Sequence, residues 1–157
     1  MMSGTEPIDD LCATISRLAD GDRTRTLAVA ESLTGGNIAA ALSRAKNSGD
    51  WFAGGIVAYR PEVKHGLLEV PDGPVVCAEA ASAMATSTAR LLGADVAVAV
   101  TGEGGPQPQE DEPGTVWFGV FSDGHAETQR RRFEGEPAEI VEATTIEALR
   151  LFVSSLT

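Results

Sequence analysis

Apolar residues recur along the chain with two different periods, one typical of helices and one typical of buried strands. In residues 8–20 they are three or four positions apart, which predicts an amphipathic helix. Short apolar runs bounded by polar residues instead predict buried strands. The predicted helices are residues 8–20, 35–45, 61–68, 77–94 and 137–156, and the predicted strands are residues 24–32, 52–59, 95–102 and two arms within 115–133.

Strands that alternate with helices, followed by one hairpin, predict a layered α/β domain. We expect a mixed sheet covered by helices on both faces. Gly93 is placed to end the fourth predicted helix, and Asp123-Gly124 is the predicted hairpin turn. The long polar loop from Gly102 to Gly114 is expected to be functional.

Composition is that of a globular protein without membrane spans. The chain has 157 residues, which predicts a single domain over residues 1–157, and 43% of them are apolar. No apolar run approaches the ~20 residues that cross a bilayer. The N-terminal MMSGTEPIDD lacks the features of a secretory signal, so we expect a cytoplasmic protein. Cys12 and Cys77 are too few and too far apart to predict a disulfide framework or a metal site.

The charge of the chain restricts its partners. A formal net charge of −11 argues against non-specific binding to nucleic acid, so an anionic ligand must be held locally. Residues 30–66 stand out, because they contain four basic and three acidic residues. Solvated surface charges without a common purpose account for that balance equally well.

Polar residues end three of the predicted strands. In open α/β sheets, ligands bind beyond the carboxyl ends of the strands, so these ends predict one shared site. The polar strand ends are Glu31-Ser32, Tyr59-Arg60 and Thr101-Gly102.

The first strand end has two interpretations. Ser32 and Thr34 precede Gly35 and Gly36 where a strand passes into a helix. Unpaired N–H groups and the helix dipole at such a turn favour a phosphate or an oxyanion. The hydroxyls could instead be helix caps, each worth ~1 kcal/mol. The spacing matches neither the G-x-S-x-G nucleophile elbow nor the P-loop, so the local sequence leaves both interpretations open.

A serine nucleophile needs a base, and the chain offers only two histidines and two lysines. His125 falls in the predicted hairpin turn and Lys46 in a loop, so both are expected at the surface. Lys64 and His65 follow the second predicted strand, close to Tyr59. A lysine base requires burial or neighbouring cations that lower its pKa, and the alternative for Lys64 is an ordinary surface residue.

Five motifs occur together in one order along the chain. In this combination the chain resembles the C-terminal domain of the competence/damage-inducible protein CinA and the stand-alone nicotinamide-nucleotide amidohydrolases of that family. The resemblance extends over residues 8–155. The motifs are Ser32 with TGG, Trp51-Phe52 before GGIVAY, Tyr59 five positions before Lys64, TGEGGP and GTVWFGV.

The resemblance implies a three-layer α/β/α fold and hydrolysis of the carboxamide of nicotinamide mononucleotide to nicotinate mononucleotide and ammonia. It implies catalysis by Ser32 and Lys64 assisted by Tyr59, without a metal or a cofactor. The expected partners are this small nucleotide and further copies of the chain, with no nucleic acid and no membrane. The expected substrate-binding residues are Thr34, Gly35, Gly36, Arg60, Thr101, Gly102, Gly104 and Gly105.

The sequence also departs from the family pattern. The family's YSNEAK is YRPEVK here, its TGIAGP is TGEGGP, and its HGAVS is replaced by DGPVVCAEA. Glu103 would bring a carboxylate into a loop that is expected to hold a phosphate. These changes leave a second hypothesis open, a nucleotide-binding or partner-binding domain of the same fold that has lost catalysis.

Overall fold

A computed structural model describes residues 5–102 and 110–157 of the chain. The helices in these ranges are α1 (Thr5–Ala19), α2 (Asn37–Arg44), α3 (Ser48–Trp51), α4 (Pro61–Gly66), α5 (Ala78–Leu92) and α6 (Pro137–Leu156). The strands are β1 (Leu27–Glu31), β2 (Phe52–Val57), β3 (Val96–Gly102), β4 (Thr115–Ser122) and β5 (His125–Arg132).

The strands form one mixed sheet in the order β2-β1-β3-β4-β5. β1 is parallel to both β2 and β3, whereas β4 is antiparallel to β3 and β5 is antiparallel to β4. The carboxyl ends of β1, β2 and β3 therefore lie along one edge of the sheet. The start of β4 lies at the same edge, because Val116 pairs with Gly102.

Alternating valine and alanine in β1 and β3 give the sheet two different faces. Larger side chains, such as Val29 and Phe118, pack with α1, α2 and α6 in one core. Ala30 and Ala99 pack with Met84 of α5 in a second core on the opposite face. Because both faces are covered, these strands appear in the sequence as nearly continuous apolar runs.

Small residues let α5 pack closely against the sheet. A Cβ at Gly119 of β4 would lie 2.2 Å from the carbonyl oxygen of Ala81 in α5, so this position has no room for a side chain. The N-terminal end of α5 lies beside the end of β3, because the Thr101 hydroxyl donates to the carbonyl oxygen of Val75 over 2.6 Å.

The predicted α/β architecture, a mixed sheet with helices on both faces, is confirmed. Gly93 ends α5 with a φ of 64°, and the hairpin turns at Asp123 and Gly124, whose φ values are 53° and 83°. The one-turn helix α3 is absent from the sequence prediction, and β2 ends at Val57, two residues earlier than predicted. In the part of the chain that the structure describes, no helix combines the length and apolar character needed to cross a bilayer.

Candidate active site

The candidate site lies where β1 and β2 leave the sheet side by side. The N–H of Ala58, one residue beyond β2, donates to the carbonyl oxygen of Glu31 over 2.8 Å. The next residues along the two chains, Ser32 and Tyr59, are therefore neighbours at this edge. Lys64 follows in the first helix after β2.

The carboxylate of Glu31 organises the turn between β1 and α2. Its side chain is fully buried. Oε1 accepts hydrogen bonds from the N–H groups of Gly36 (3.1 Å) and Ile38 (3.0 Å), and Oε2 accepts one from Ala39 (2.8 Å). These donors and the helix dipole stabilise a negative charge at this place. Glu31 thus caps α2 from the strand that precedes it.

Sequence reasoning named Glu31 as the end of a strand but gave it no role. The available signal was an acidic residue that closes an otherwise apolar strand shortly before a helix. Capping is usually sought at the N-cap position itself, and Glu31 lies five residues before Gly36, the residue at that position.

One sequence-based interpretation of this turn, the capping of α2 by its hydroxyl groups, is wrong. Gly36 is the N-cap and no side chain caps it from that position, so Ser32 and Thr34 are not helix caps. The N–H groups of Gly35 and Gly36 are not free for an anion, because Gly35 donates to the Ser32 carbonyl oxygen (3.1 Å) and Gly36 donates to Glu31. The two glycines supply positive φ values of 57° and 105° instead. Their role in substrate binding stays a prediction.

The two hydroxyl groups of the turn are enclosed. Ser32 is 5% exposed and Thr34 is 2% exposed. Within residues 5–102 and 110–157, Thr34 Oγ1 is buried without a hydrogen-bond partner, and the Ser32 hydroxyl makes no hydrogen bond either. In the same ranges the N–H groups of Leu33 and Thr34 have no acceptor. This turn therefore carries unused donors beside a hydroxyl that could act as a nucleophile.

Lys64 lies in α4, whose first position is Pro61. Proline suits this position because its fixed φ is already helical and its missing N–H is not needed there. The side chain of Lys64 is 4% exposed, so its interpretation as a surface residue is wrong. Lysine is almost never buried this deeply unless it is paired or functional. After α4, the N–H of Val70 donates to the Lys64 carbonyl oxygen over 3.0 Å, which fixes the end of the helix.

Tyr59 and Arg60 are not enclosed in the same way. Tyr59 is 71% exposed. The Arg60 guanidinium lies 4.0 Å from the carboxylate of Glu62, and both side chains are largely exposed. The structure therefore buries Ser32 and Lys64 of the predicted catalytic set and leaves Tyr59 at the surface.

The end of β3 is shaped by packing. Thr101 is fully buried, and the proton of its hydroxyl is committed to the carbonyl oxygen of Val75. A Cβ at Gly102 would lie 2.7 Å from the carbonyl oxygen of Thr115, so glycine is required there by the neighbouring strand. The predicted binding residues Gly104 and Gly105 lie outside the described residues.

Three consecutive acidic residues fix the chain as it enters β4. The Glu110 carboxylate accepts hydrogen bonds from the N–H groups of Val75 (2.9 Å) and Val76 (2.7 Å). Asp111 and Glu112 form ion pairs with arginines of β5, at 3.3 and 3.0 Å. The N–H of Glu112, followed by the arginine partner, holds the pKa of Asp111 below its usual value, so this carboxyl group is charged at neutral pH. Residues 110–112 are thus anchored to the segment before α5 and to β5.

The enclosed groups at this edge are suited to nucleophilic chemistry. A buried hydroxyl and a buried amine occur in the segments after two adjacent strands, and unused main-chain donors lie beside the hydroxyl. In the part of the chain that the structure describes, no group of three or more His, Cys, Asp or Glu side chains is placed to hold a metal ion.

One known protein family matches nearly the whole chain. The family model of the CinA C-terminal domain matches residues 10–156. A CinA-like protein of Frankia casuarinae is 40% identical in an alignment of 135 positions that covers 82% of this chain and 31% of that protein. Protein YdeJ of Escherichia coli K12 is 34% identical in an alignment of 139 positions that covers 84% of this chain and 80% of YdeJ. The chain thus spans about a third of the length of the CinA-like relatives that it matches.

A solved structure has the same architecture. A CinA superfamily protein from Klebsiella pneumoniae 700603 matches with a TM-score of 0.89 and 33% sequence identity. The match covers 95% of this chain and 97% of that one. The five-stranded mixed sheet with helices on both faces is therefore shared with this superfamily.

Proposed function

Because this chain belongs to the family of the CinA C-terminal domain, we propose that it hydrolyses the carboxamide of nicotinamide mononucleotide to nicotinate mononucleotide and ammonia. The observation that carries the proposal is the burial of Lys64, which is 4% exposed and follows the strand beside the one that leads to Ser32. A serine amidase needs an amine and a hydroxyl, and here both are buried and follow adjacent strands.

In the proposed reaction, the Ser32 hydroxyl attacks the carbonyl carbon of the carboxamide. Lys64, in its neutral form, takes the hydroxyl proton and then delivers it to the departing nitrogen, which leaves as ammonia. The resulting ester on Ser32 is attacked by water, and Lys64 again accepts and returns the proton. Tyr59, which lies at the surface, assists this transfer in the proposal. The step consumes one water and needs no metal or cofactor.

The tetrahedral intermediate carries a negative charge on the former carbonyl oxygen. The N–H groups of Leu33 and Thr34 are suited to stabilise it, because no described residue accepts a hydrogen bond from them. Preorganised donors of this kind contribute most when charge develops away from water.

In the proposal, the phosphate of the nucleotide binds elsewhere and not at this turn. The N–H groups at the start of α2 already serve the Glu31 carboxylate, which would repel a second anion. The predicted phosphate site is therefore the segment from Thr101 to Gly105, with Arg60 as a cation that can approach from the surface.

Two observations favour the second hypothesis, a binding domain of the same fold without catalysis. Tyr59 is 71% exposed, and the hydroxyl proton of Thr101 is already used within the protein. Such a domain would bind the nucleotide without converting it.

Two variants, each with one lysine replaced by methionine, distinguish the two hypotheses. We expect Lys64→Met to lower ammonia release from nicotinamide mononucleotide by about 100-fold or more, since methionine fills a similar volume without a proton-accepting amine. Lys46→Met removes the other lysine, which is exposed, and should leave turnover unchanged. Ammonia and nicotinate mononucleotide are measured together, per folded molecule.

Absence of both products from the wild-type protein, with retained nucleotide binding, would favour the binding domain. Equal turnover in the wild type and Lys64→Met would remove Lys64 from the mechanism.

A further inference from the structure

Glu31 is a buried anion in the residue directly before the proposed nucleophile. It is fully buried, and its charge is met by three main-chain N–H groups at 2.8 to 3.1 Å. A carboxylate in the protein interior is tolerated only when hydrogen bonds replace its hydration. The position is therefore costly unless the three donors are held in place.

The three hydrogen bonds close the turn on itself. Glu31 is the last residue of β1, and its side chain binds main-chain groups five, seven and eight residues further along. Two further bonds fold the enclosed segment: Gly35 donates to the Ser32 carbonyl oxygen over 3.1 Å, and Asn37 donates to that of Thr34 over 3.0 Å. Residues 32–36 thus form a loop that starts at the main chain of Glu31 and is closed by the hydrogen bond from Gly36 to the Glu31 carboxylate.

This closure decides which donors remain available. The N–H groups from Gly35 onward are used within the turn and by Glu31, whereas those of Leu33 and Thr34 have no acceptor among the described residues. The Glu31 carboxylate therefore occupies N–H groups at the start of α2 and leaves the two N–H groups next to Ser32 available.

We propose that Glu31 is a positioning residue for amide hydrolysis, an inference that rests on the proposed function. Its carboxylate holds the 32–36 turn so that the Ser32 hydroxyl and the N–H groups of Leu33 and Thr34 act on the same carboxamide. It does not touch the substrate. Changes at Glu31 therefore act on kcat more than on KM.

The test uses Glu31→Gln and Glu31→Asp in the full chain. The glutamine variant keeps the side-chain shape but turns one of the two accepting oxygens into a donor that faces a main-chain N–H. We expect kcat to fall by about 100-fold, the loss typical of a misplaced reacting group, with KM for nicotinamide mononucleotide changed less than about threefold. Glu31→Asp keeps the charge on a shorter stem and should lose less activity than Glu31→Gln.

A matched control separates positioning from a general loss of charge or stability. Glu147→Gln makes the same change at another largely buried carboxylate. Glu147 accepts a hydrogen bond from Gln129 of β5, the strand at the other end of the sheet from β2, and forms ion pairs with Arg131 and Arg150. Its kcat should stay at the wild-type value. All rates are measured per folded molecule, well below the melting temperature of each variant. If Glu31→Gln does not fold, Glu31→Asp decides by the same kcat and KM criteria.

A second readout is independent of the substrate. A fluorophosphonate forms a covalent P–O bond with an activated serine and releases fluoride, and mass spectrometry locates the label. We expect labelling of Ser32 in the wild type and in Glu147→Gln, with a rate about 100-fold lower in Glu31→Gln.

The outcomes distinguish this inference from the proposed function. If the wild type is labelled but releases no ammonia, the proposed substrate is wrong, and slower labelling of Glu31→Gln still supports positioning. A wild type that is neither labelled nor active overturns both. Positioning is also overturned if Glu31→Gln matches the wild type, if only its KM changes, or if Glu147→Gln loses as much activity.

Discussion

Thr34 carries a buried hydroxyl that no group of the described protein satisfies. An unsatisfied buried hydroxyl costs about 1–3 kcal/mol, so it persists only where something else compensates for it. In the proposed function that compensation is a hydrogen bond to the substrate. Thr88 of α5 is the other buried hydroxyl without a partner among the described residues, and it offers a natural comparison.

We predict that Thr34→Val raises the free energy of unfolding by about 1 kcal/mol and lowers turnover at least about tenfold. Valine removes the unsatisfied hydroxyl from the interior, and with it the hydrogen bond to the substrate. Thr88→Val should give a similar gain in stability with unchanged turnover. Denaturant unfolding and ammonia release on the same samples measure both effects. If Thr34→Val were more stable and fully active, Thr34 would have no part in binding.

At the residue scale, sequence reasoning selected Ser32 and Lys64 but could not place them. The polar ends of apolar strands identify the edge of the sheet, yet the burial of Lys64 depends on how α4 packs, which no local pattern encodes. The role of Glu31 was missed because its three partners lie five to eight residues away and are main-chain atoms. A pattern of side chains cannot show which backbone donors are already used.

At the element scale, the two buried strands and the long helices follow directly from apolar periodicity. In the structure, valine and alanine alternate in β3, so its two faces carry side chains of different size, and Gly119 of β4 shows how closely α5 approaches the alanine face. The helix α3 was missed because Ser48–Trp51 is a single turn, too short to display a 3.6-residue period.

The two outer strands of the sheet differ in how they protect their free edges. β5 has the sequence HAETQRRR, and charged side chains of this kind block pairing with another chain. β2 has the sequence FAGGIV, without a charge or a proline. Several exposed hydrophobic residues lie here: Val57 at the end of β2, and Tyr59, Val63 and Leu67 beyond it. We propose that a second copy of the chain pairs with β2 and covers Tyr59.

We predict that Ala53→Lys weakens this self-association at least tenfold, about 1.4 kcal/mol, because Ala53 is an exposed residue of β2 and each copy would bring a lysine to the shared edge. Thr128→Lys adds the same charge to β5 and should have no effect. Light scattering over a range of concentrations measures the mass of both variants. A wild type that stays monomeric at every concentration would contradict this proposal.

At the scale of the whole molecule, the charge distribution implies that an anionic substrate is bound by short-range contacts. The net charge is −11, and the arginines at positions 130, 131 and 132 are each engaged by a carboxylate. Long-range attraction therefore cannot draw a phosphate to the site. Because KM would then depend on short-range contacts, we propose that Arg60 and the segment after β3 bind the nucleotide.

The central claim is that Ser32 is the nucleophile of an amide hydrolase, and one comparison tests it most directly. Ammonia release from nicotinamide mononucleotide is measured per folded molecule for the wild type and Ser32→Ala, with the melting temperature of the same samples. The Ser32 hydroxyl has no hydrogen-bond partner among the described residues, so the melting temperature should change by no more than about 2 °C. Turnover should fall by about 1,000-fold or more, because the attacking oxygen is gone. Equal turnover of Ser32→Ala and the wild type would contradict the claim.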